Sequence, residues 1–191
     1  MNSVPTISIQ TDSSSLDSYG FTINEKVKVF NLIIEPISLL KPFVVDFLNQ
    51  KSIVPIIVFI SVLRGDEEQF QDELKSKQIN FNLSYLKYKN PIFIIELTNK
   101  TVLNFLIDKM FETIMIGLDS YVLITDKFEA FSSKPYSINR GVLYFSLHST
   151  ASLLCITEVG ISLFLNDENY GNLEGVITKI SAGYFINKEN N

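Results

Sequence analysis

The sequence predicts an α+β or α/β domain, in which about three to four helices pack on a mixed β-sheet and the C-terminal third consists mainly of antiparallel strands. Strand-like and helix-like segments alternate as far as Lys127, whereas strand-like segments follow one another from Val142 onward. The chain has 191 residues, of which 46% are hydrophobic, and this suffices for one core. We therefore expect a flexible N-terminal segment at 1–20, one globular domain at 21–186 and a loose C-terminal tail at 187–191.

The first third of the domain predicts a strand, a helix and a second strand. KVKVFNLII, which begins at Lys26, alternates and then becomes continuously apolar, as in a strand that is first half-buried and then fully buried. Pro42 would remove a hydrogen bond inside a helix, so we expect the helix to begin near this residue. SIVPIIVFISVL is rich in β-branched residues and predicts a buried strand. The expected core face of the helix comprises Phe43, Val44, Phe47 and Leu48.

The middle of the chain predicts a polar helix followed by a strand pair. The helix spans Asp66 to Gln78 and has only two apolar anchors, Phe70 and Leu74. FNLSYLKY and PIFIIELT then read as two strands around the turn Lys89-Asn90-Pro91.

A second helix and a returning strand follow. The helix covers Lys100 to Ile116, Thr98 or Asn99 can cap its start, and Gly117 can end it. Its apolar face comprises Leu103, Leu106, Ile107, Met110, Phe111 and Ile114. SYVLITDK returns as a strand, which completes a β-α-β unit.

The last third predicts a loop and then several strands in close succession. FEAFSSKPYSINR is expected to be a loop, and VLYFSLH, SLLCITEV and ISLFLND resemble antiparallel strands. A final short helix is expected at Leu173 to Ser181.

The charge, the apolar runs and the cysteine content of the chain limit the classes of function that we expect. The net charge is −5 and the pI is about 4.9, so the protein as a whole repels a phosphate backbone, and we expect no nucleic-acid partner. The longest charge-free apolar run, Ile53 to Leu63, is well short of the roughly 20 residues that span a bilayer, so we expect no membrane insertion. No export signal is recognisable at the N-terminus, and the single cysteine, Cys155, fits a reducing compartment; both favour a cytoplasmic protein.

A small-molecule or catalytic pocket is one hypothesis, because the lone histidine, His148, lies near Cys155 in the sequence. If Leu143 to His148 paired with Ser152 to Glu158, Ser146 would lie opposite Cys155, with His148 one diagonal step away. Tyr170 is a further candidate for such a pocket. The simpler interpretation makes Cys155 a small core residue and His148 a polar residue at a strand end.

Metal and nucleotide sites find no support in the sequence. One histidine and one cysteine cannot form a structural zinc site. NDENYGNLEG has calcium-loop residue types at the wrong spacing, because Thr178 stands where a bidentate glutamate is required. Neither a G-x-G-x-x-G nor a P-loop pattern occurs. We therefore predict no metal and no cofactor.

The acidic helix is the other candidate site. Its carboxylates either stabilise the helix through the helix dipole or form a docking surface for a basic protein partner. The five residues are Asp66, Glu67, Glu68, Asp72 and Glu73.

The leading functional hypothesis is an acidic cytosolic protein-binding module, which acts as an immunity or antitoxin protein does by occluding a basic partner. The alternatives are a small-molecule-binding domain or enzyme, with the pocket named above, and a structural or assembly subunit with a self-complementary surface. Because no catalytic motif is present, we expect a binding protein more than an enzyme. The oligomeric state is left open.

Overall fold

Among the residues that the structure describes, nine strands form one large sheet and three more form a small second sheet. The structure is a computed structural model and describes residues 6–12, 21–23, 27–50, 56–87, 89–97, 101–125, 135–147, 151–158, 160–166 and 184–188. The strands are β1 (Thr6–Asp12), β2 (Thr22–Ile23), β3 (Val27–Glu35), β4 (Ile56–Ser61), β5 (Asn82–Tyr85), β6 (Pro91–Leu97), β7 (Ser120–Thr125), β8 (Tyr136–Asn139), β9 (Val142–Phe145), β10 (Ala151–Ile156), β11 (Gly160–Asn166) and β12 (Phe185–Lys188). The helices are α1 (Leu40–Gln50), α2 (Glu67–Ser76) and α3 (Leu103–Ile114), and a short 3₁₀ turn (Ile37–Leu39) precedes α1.

The large sheet has the strand order β12-β1-β3-β11-β10-β7-β4-β6-β5. Neighbouring strands are antiparallel, except that β12 runs parallel to β1. The mixed sheet with helices packed on it, in a single domain, confirms the predicted fold class. None of the described helices is both long and apolar enough to cross a membrane.

The segment from β4 to β7 forms two interlocked split β-α-β units, in the chain order β4-α2-β5-β6-α3-β7. β6 and β7 are both antiparallel to β4, which lies between them, and are therefore parallel to each other. The predicted β-α-β unit from Pro91 to Lys127 is present, with β4 inserted between its two strands.

All three helices cover one face of the large sheet. The alternate residues Ile56, Val58 and Ile60 of β4 lie in the same apolar cluster as the buried residues of α1, α2 and α3. The predicted core residues of α1 and the two anchors of α2 are buried, as are all the predicted face residues of α3 except Phe111, which is only partly buried. Hydrophobic periodicity therefore identified the correct face of each helix.

The small sheet covers part of the opposite face. It has the order β2-β9-β8, and Phe145 on β9 packs edge-on against Phe59 on β4, with ring centroids 5.1 Å apart. Ile57 and Phe59, the other alternate residues of β4, lie in this second apolar cluster. β4 is thus buried on both faces, which explains its uninterrupted apolar sequence.

Several expectations about the chain ends and connections are corrected. Residues 6–12, which we expected to be flexible, form β1, because its alternate residues Ile7 and Ile9 are buried under the helix layer. Asn187 and Lys188, expected in the loose tail, belong to β12. Four residues of the predicted loop form β8, which pairs with β9. The predicted caps Thr98 and Asn99 and the predicted helix at 173–181 lie outside the described residues.

The first residue of β11, Gly160, lets this strand approach β3 closely. A Cβ atom placed on Gly160 would lie 2.1 Å from the backbone carbonyl oxygen of Leu32. We expect Gly160→Ala to lower the free energy of unfolding by about 3 kcal/mol, because β3 must shift to relieve the overlap. Urea unfolding followed by circular dichroism measures this change.

The matched control for this substitution is Gly117→Ala. Gly117 has φ +76° but no heavy atom within 4 Å of an added Cβ, so we expect a cost of about 1 kcal/mol, from backbone conformation alone. Equal costs for the two variants would show that the close approach of β11 to β3 does not constrain the fold.

Candidate functional site

The acidic helix α2 begins where the chain leaves the buried strand β4. Gly65 has φ +103° and turns the chain out of the sheet. Asp66 occupies the N-cap position, but its side chain makes no capping hydrogen bond. Its φ and ψ of −95° and 1° differ from the extended conformation of a capping residue, so its carboxylate does not reach the first helical N–H groups. Glu67 accepts a hydrogen bond from the N–H of Gly65 instead.

The five predicted carboxylates divide into paired and exposed groups. Glu73 accepts from Lys109 on α3 at 2.7 Å, and Asp72 pairs with Lys75 on its own helix at 3.4 Å. Asp66 and Glu68 are exposed and form no ion pair with any described residue. The exposed negative charge therefore lies in the first turn of α2, and the second half of the helix is largely neutralised.

Lys109 connects α2 to α3. Its Nζ lies 2.7 Å from Glu73 and 2.9 Å from Glu112, and its side chain is 22% exposed. A groove of about 130 Å³ runs between the two helices, and Glu73, Lys109 and Glu112 lie along it. This ion-pair network fixes the position of α2, and with it the position of the acidic turn.

The same network shifts the pKa values of its members. The hydrogen bond from Lys109 lowers the pKa of Glu73 below its ordinary value of 4.5. Burial alone would lower the pKa of Lys109, but hydrogen bonds to Glu73 and Glu112 outweigh that effect and raise it above 10.5.

Two exposed apolar side chains lie at the end of the sheet where α2 begins. Tyr85 on β5 pairs with Pro91 on β6, and the N–H of Val62 donates to the carbonyl of Pro91 at 3.0 Å. Tyr85 and Val62 are therefore about 10 Å apart, two strand spacings. Tyr85 is 63% exposed and Leu63, next to Val62, is 42% exposed.

We define the acidic end surface as Leu63, Asp66, Glu67, Glu68 and Tyr85. It combines three carboxylates with two exposed apolar side chains on rigid elements. Interfaces between proteins have such a composition, in which aromatic and aliphatic groups are surrounded by polar ones. The sequence pattern identified the carboxylates but not Leu63 or Tyr85, because their exposure depends on which strands end at this side of the sheet.

The alternative pocket is only partly within the described residues, because His148 and Tyr170 lie outside them. The strand pairing that it required is corrected. β9 pairs with β8 and β2, whereas β10 pairs with β7 and β11, so Ser146 does not lie opposite Cys155. The residues paired with Cys155 are Tyr121 and Ser162. Ser146 follows β9, and its N–H donates to the carbonyl of Pro135 at 2.9 Å.

Cys155 lies in an environment that disfavours the reactive thiolate form of its side chain. It is 8% exposed in the apolar cluster between the two sheets, and burial, together with the negative charge of Asp119, raises its pKa to about 12. A nucleophilic cysteine requires a lowered pKa, which stabilises the thiolate. These surroundings favour the interpretation of Cys155 as a core residue.

A polar strip that the sequence pattern did not reveal continues from Cys155 across the same face of the sheet. Ser162 on β11 is 6% exposed and donates to the side-chain oxygen of Asn31 on β3 at 2.8 Å. With Gln10 on β1 they line a shallow, open depression of about 210 Å³. Within this strip the Ser162 hydroxyl and the Asn31 side-chain oxygen are thus paired with each other.

Among the described residues, no group of three or more His, Cys, Asp or Glu side chains is placed to hold a metal ion. Most of the NDENYGNLEG segment lies outside these residues. Comparisons of the chain with protein-family models, curated proteins and solved structures return no match.

Replacing Lys109 of α3, which pairs with Glu73 of α2, tests the ion-pair network. We expect Lys109→Met to lower the free energy of unfolding at pH 7 by about 1 kcal/mol. Because the pKa of Glu73 is lowered in the folded state, its contribution is present above pH 4.5 and is lost as the pH falls through its folded pKa. The difference between wild type and variant should therefore shrink below pH 4.5, as measured by urea unfolding at several pH values.

Lys75→Met is the matched control for this measurement. It removes an exposed pair within α2, and we expect a cost of roughly 0.3 kcal/mol. A difference for Lys109→Met that stays constant from pH 7 down to pH 3 would contradict the proposed role of Glu73.

Thiol labelling tests the environment of Cys155. With a pKa of about 12, we expect the native protein to react with iodoacetamide at pH 8 at least 100-fold more slowly than the urea-unfolded chain. Mass spectrometry over time measures the modified fraction. Rapid labelling of the folded protein would instead revive the hypothesis of a reactive thiol.

Proposed function

We propose that this protein is a protein-binding module whose acidic end surface docks a basic protein partner. The observation that carries this proposal is the position of Asp66 and Glu68, exposed and without an ion pair among the described residues, on the same end of the sheet as Leu63 and Tyr85. Exposed apolar groups supply contact area, and the carboxylates select the charge of the partner.

Electrostatic attraction supports fast association. The net charge of −5 repels acidic molecules and attracts basic ones at long range, and the first turn of α2 concentrates that charge locally. The turn is held by buried Phe70 and Leu74 and by the bridge from Glu73 to Lys109. A fixed surface loses little conformational entropy on binding.

The specific form of the proposal is an inhibitor that occludes a basic toxin or nuclease in the cytoplasm, as immunity proteins do. This form is an analogy with the class of immunity proteins. It rests on the acidity of the surface, the size of the chain and the single cysteine. The environment of Cys155 gives no support to an enzyme that uses this thiol.

Reversing one exposed charge tests the proposal. The intact protein and the Glu68→Lys variant are used to capture proteins from the lysate of the source organism, and association with each purified basic candidate is then measured by surface plasmon resonance. We expect Glu68→Lys to slow association about tenfold at low salt, with a smaller effect on dissociation, because a charge at an interface acts mainly on the encounter rate.

Glu158→Lys is the matched control, because Glu158 is an exposed carboxylate on the turn between β10 and β11 and its reversal changes the net charge equally. This variant should retain most of the wild-type association rate. Equal association rates for wild type and Glu68→Lys would reject the acidic end surface as the binding surface.

A further inference from the structure

The strand β5 forms one edge of the large sheet. Among the described residues it pairs with β6 on one side, and no strand pairs with it on the other. An edge strand of this kind presents unpaired N–H and C=O groups, which can bind an extended segment of another protein.

The backbone direction of each β5 residue follows from its neighbours. The carbonyl of Pro91 accepts from Val62, so the backbone polar groups of Pro91 point toward β4. Successive residues of a strand alternate, so the groups of Ile92 point toward β5 and bond its partner, Ser84. Leu83 and Tyr85 therefore point their N–H and C=O groups away from the sheet.

The next backbone N–H group that points outward, that of Lys87, is hydrogen-bonded within the chain. The N–H of Lys87 donates to the carbonyl of Gly141 in the turn between β8 and β9, at 2.8 Å. This contact closes the edge beyond Tyr85. The open part of the edge is therefore short, and Leu83 and Tyr85 supply its hydrogen-bonding groups.

β5 is short, but it carries none of the residue types that protect many edge strands against strand addition. Its sequence, Asn82-Leu83-Ser84-Tyr85, has no lysine, no other charged residue and no proline. Asn82 and Tyr85 are exposed. Natural edge strands commonly carry such residues to prevent unwanted pairing, so their absence here is consistent with a strand that accepts a partner.

The acidic turn of α2 lies beside this edge. Phe70 packs edge-on against Phe93 of β6, with ring centroids 4.7 Å apart, and Phe93 pairs with Leu83 of β5. Phe70 is thus level with Leu83 along the strand. Glu67 and Glu68 lie within one helical turn of Phe70 and therefore near the level of the open edge along the strand; because Phe70 faces the sheet, Glu67 lies on a flank of α2 and Glu68 on its outer surface.

The negative charge of α2 decides whether the β5 edge binds a second copy of this chain or a basic segment of another protein. If two copies paired their β5 strands about a twofold axis at Leu83 and Ser84, the acidic first turns of the two α2 helices would lie on the same face of the joined sheet, on either side of that axis. The repulsion between these like charges opposes the pairing. A segment that carries lysine or arginine would instead gain an attractive interaction at the same place.

We infer that the outer edge of β5 binds an extended, basic segment of the partner by strand addition, with hydrogen bonds to the backbone of Leu83 and Tyr85 and with electrostatic attraction to Glu67 and Glu68. This inference rests on the proposed function and adds the binding mode and the class of ligand. The hydrogen bonds supply affinity for an extended backbone, and the carboxylates select its charge.

Three synthetic peptides of ten residues test the inference: alternating Lys-Val, alternating Lys-Pro and alternating Glu-Val. Lys-Pro has the charge of Lys-Val but cannot form a ladder, because proline lacks the N–H group. We expect Lys-Val to bind at least tenfold more tightly than either of the others, as measured by fluorescence anisotropy. Hydrogen exchange should slow at the amides of Leu83 and Tyr85 when Lys-Val is added.

Two variants at Tyr85 isolate the contribution of the backbone N–H group to peptide binding. Tyr85→Pro removes an outward N–H group and leaves the ladder with β6 intact, whereas Tyr85→Ala removes the same side chain and retains the N–H. Tyr85→Pro should weaken Lys-Val binding at least tenfold relative to Tyr85→Ala. If Tyr85→Pro does not fold, the hydrogen-exchange result for the wild type decides the matter.

Equal binding of Lys-Val and Lys-Pro, equal affinity of the two Tyr85 variants, absence of Lys-Val binding, or a dimer that Tyr85→Pro dissociates would each overturn the inference. Glu68→Lys separates it from the proposed function. If this variant weakens both lysine peptides equally and Tyr85→Pro has no effect, the acidic surface stands and the strand addition is wrong. If only Tyr85→Pro has an effect, the edge binds a strand and the acidic surface has no part in it.

Discussion

The fold depends on the burial of β4 on both faces. All six residues of this strand, Ile56–Ser61, are buried, and the side chains of the first five alternate between two apolar clusters. A strand of this kind is stable only if one layer covers each face. The three helices provide the first layer and the small sheet provides part of the second. The positions of α2 and β5, and therefore of the acidic end surface, follow from the way the chain surrounds β4.

Local sequence patterns predicted the elements whose burial is evident from the spacing of their own apolar residues. Phe70 and Leu74 identified the inner face of α2, and the apolar run before them identified β4, because periodicity reports directly on burial. Long-range pairing was not predictable in this way. β9 was expected beside β10 because the two are close in sequence, but the aromatic face of β9 packs against Phe59 in the second layer. Similarly, β1 has a polar-looking sequence, and its pairing with β3 becomes evident only in the assembled sheet.

The candidate site shows the same division between local and long-range information. The carboxylates of α2 are visible in the sequence, but which of them are exposed depends on residues elsewhere. Glu73 pairs with Lys109, which lies in another helix, and no local pattern distinguishes Glu73 from Glu68. The outward direction of Tyr85 depends on a hydrogen bond between Val62 and Pro91, two strands away. A charge pattern alone therefore defined the region of the site, and the tertiary structure defined its composition.

The sheet order also determines when each part of the molecule can form during synthesis. The β4-α2-β5-β6-α3-β7 unit is contiguous in the chain, so it can assemble as soon as this stretch leaves the ribosome. Among the described strands, β3 joins the rest of the sheet through β11, and β12 pairs with β1, so β1 and β3 complete their pairing only after these later strands are made. Until then the edge of β3 that pairs with β11 presents unpaired N–H and C=O groups. The growing chain thus carries an unpaired strand edge until β11 is made, and a chaperone that binds extended strands would act on this segment first.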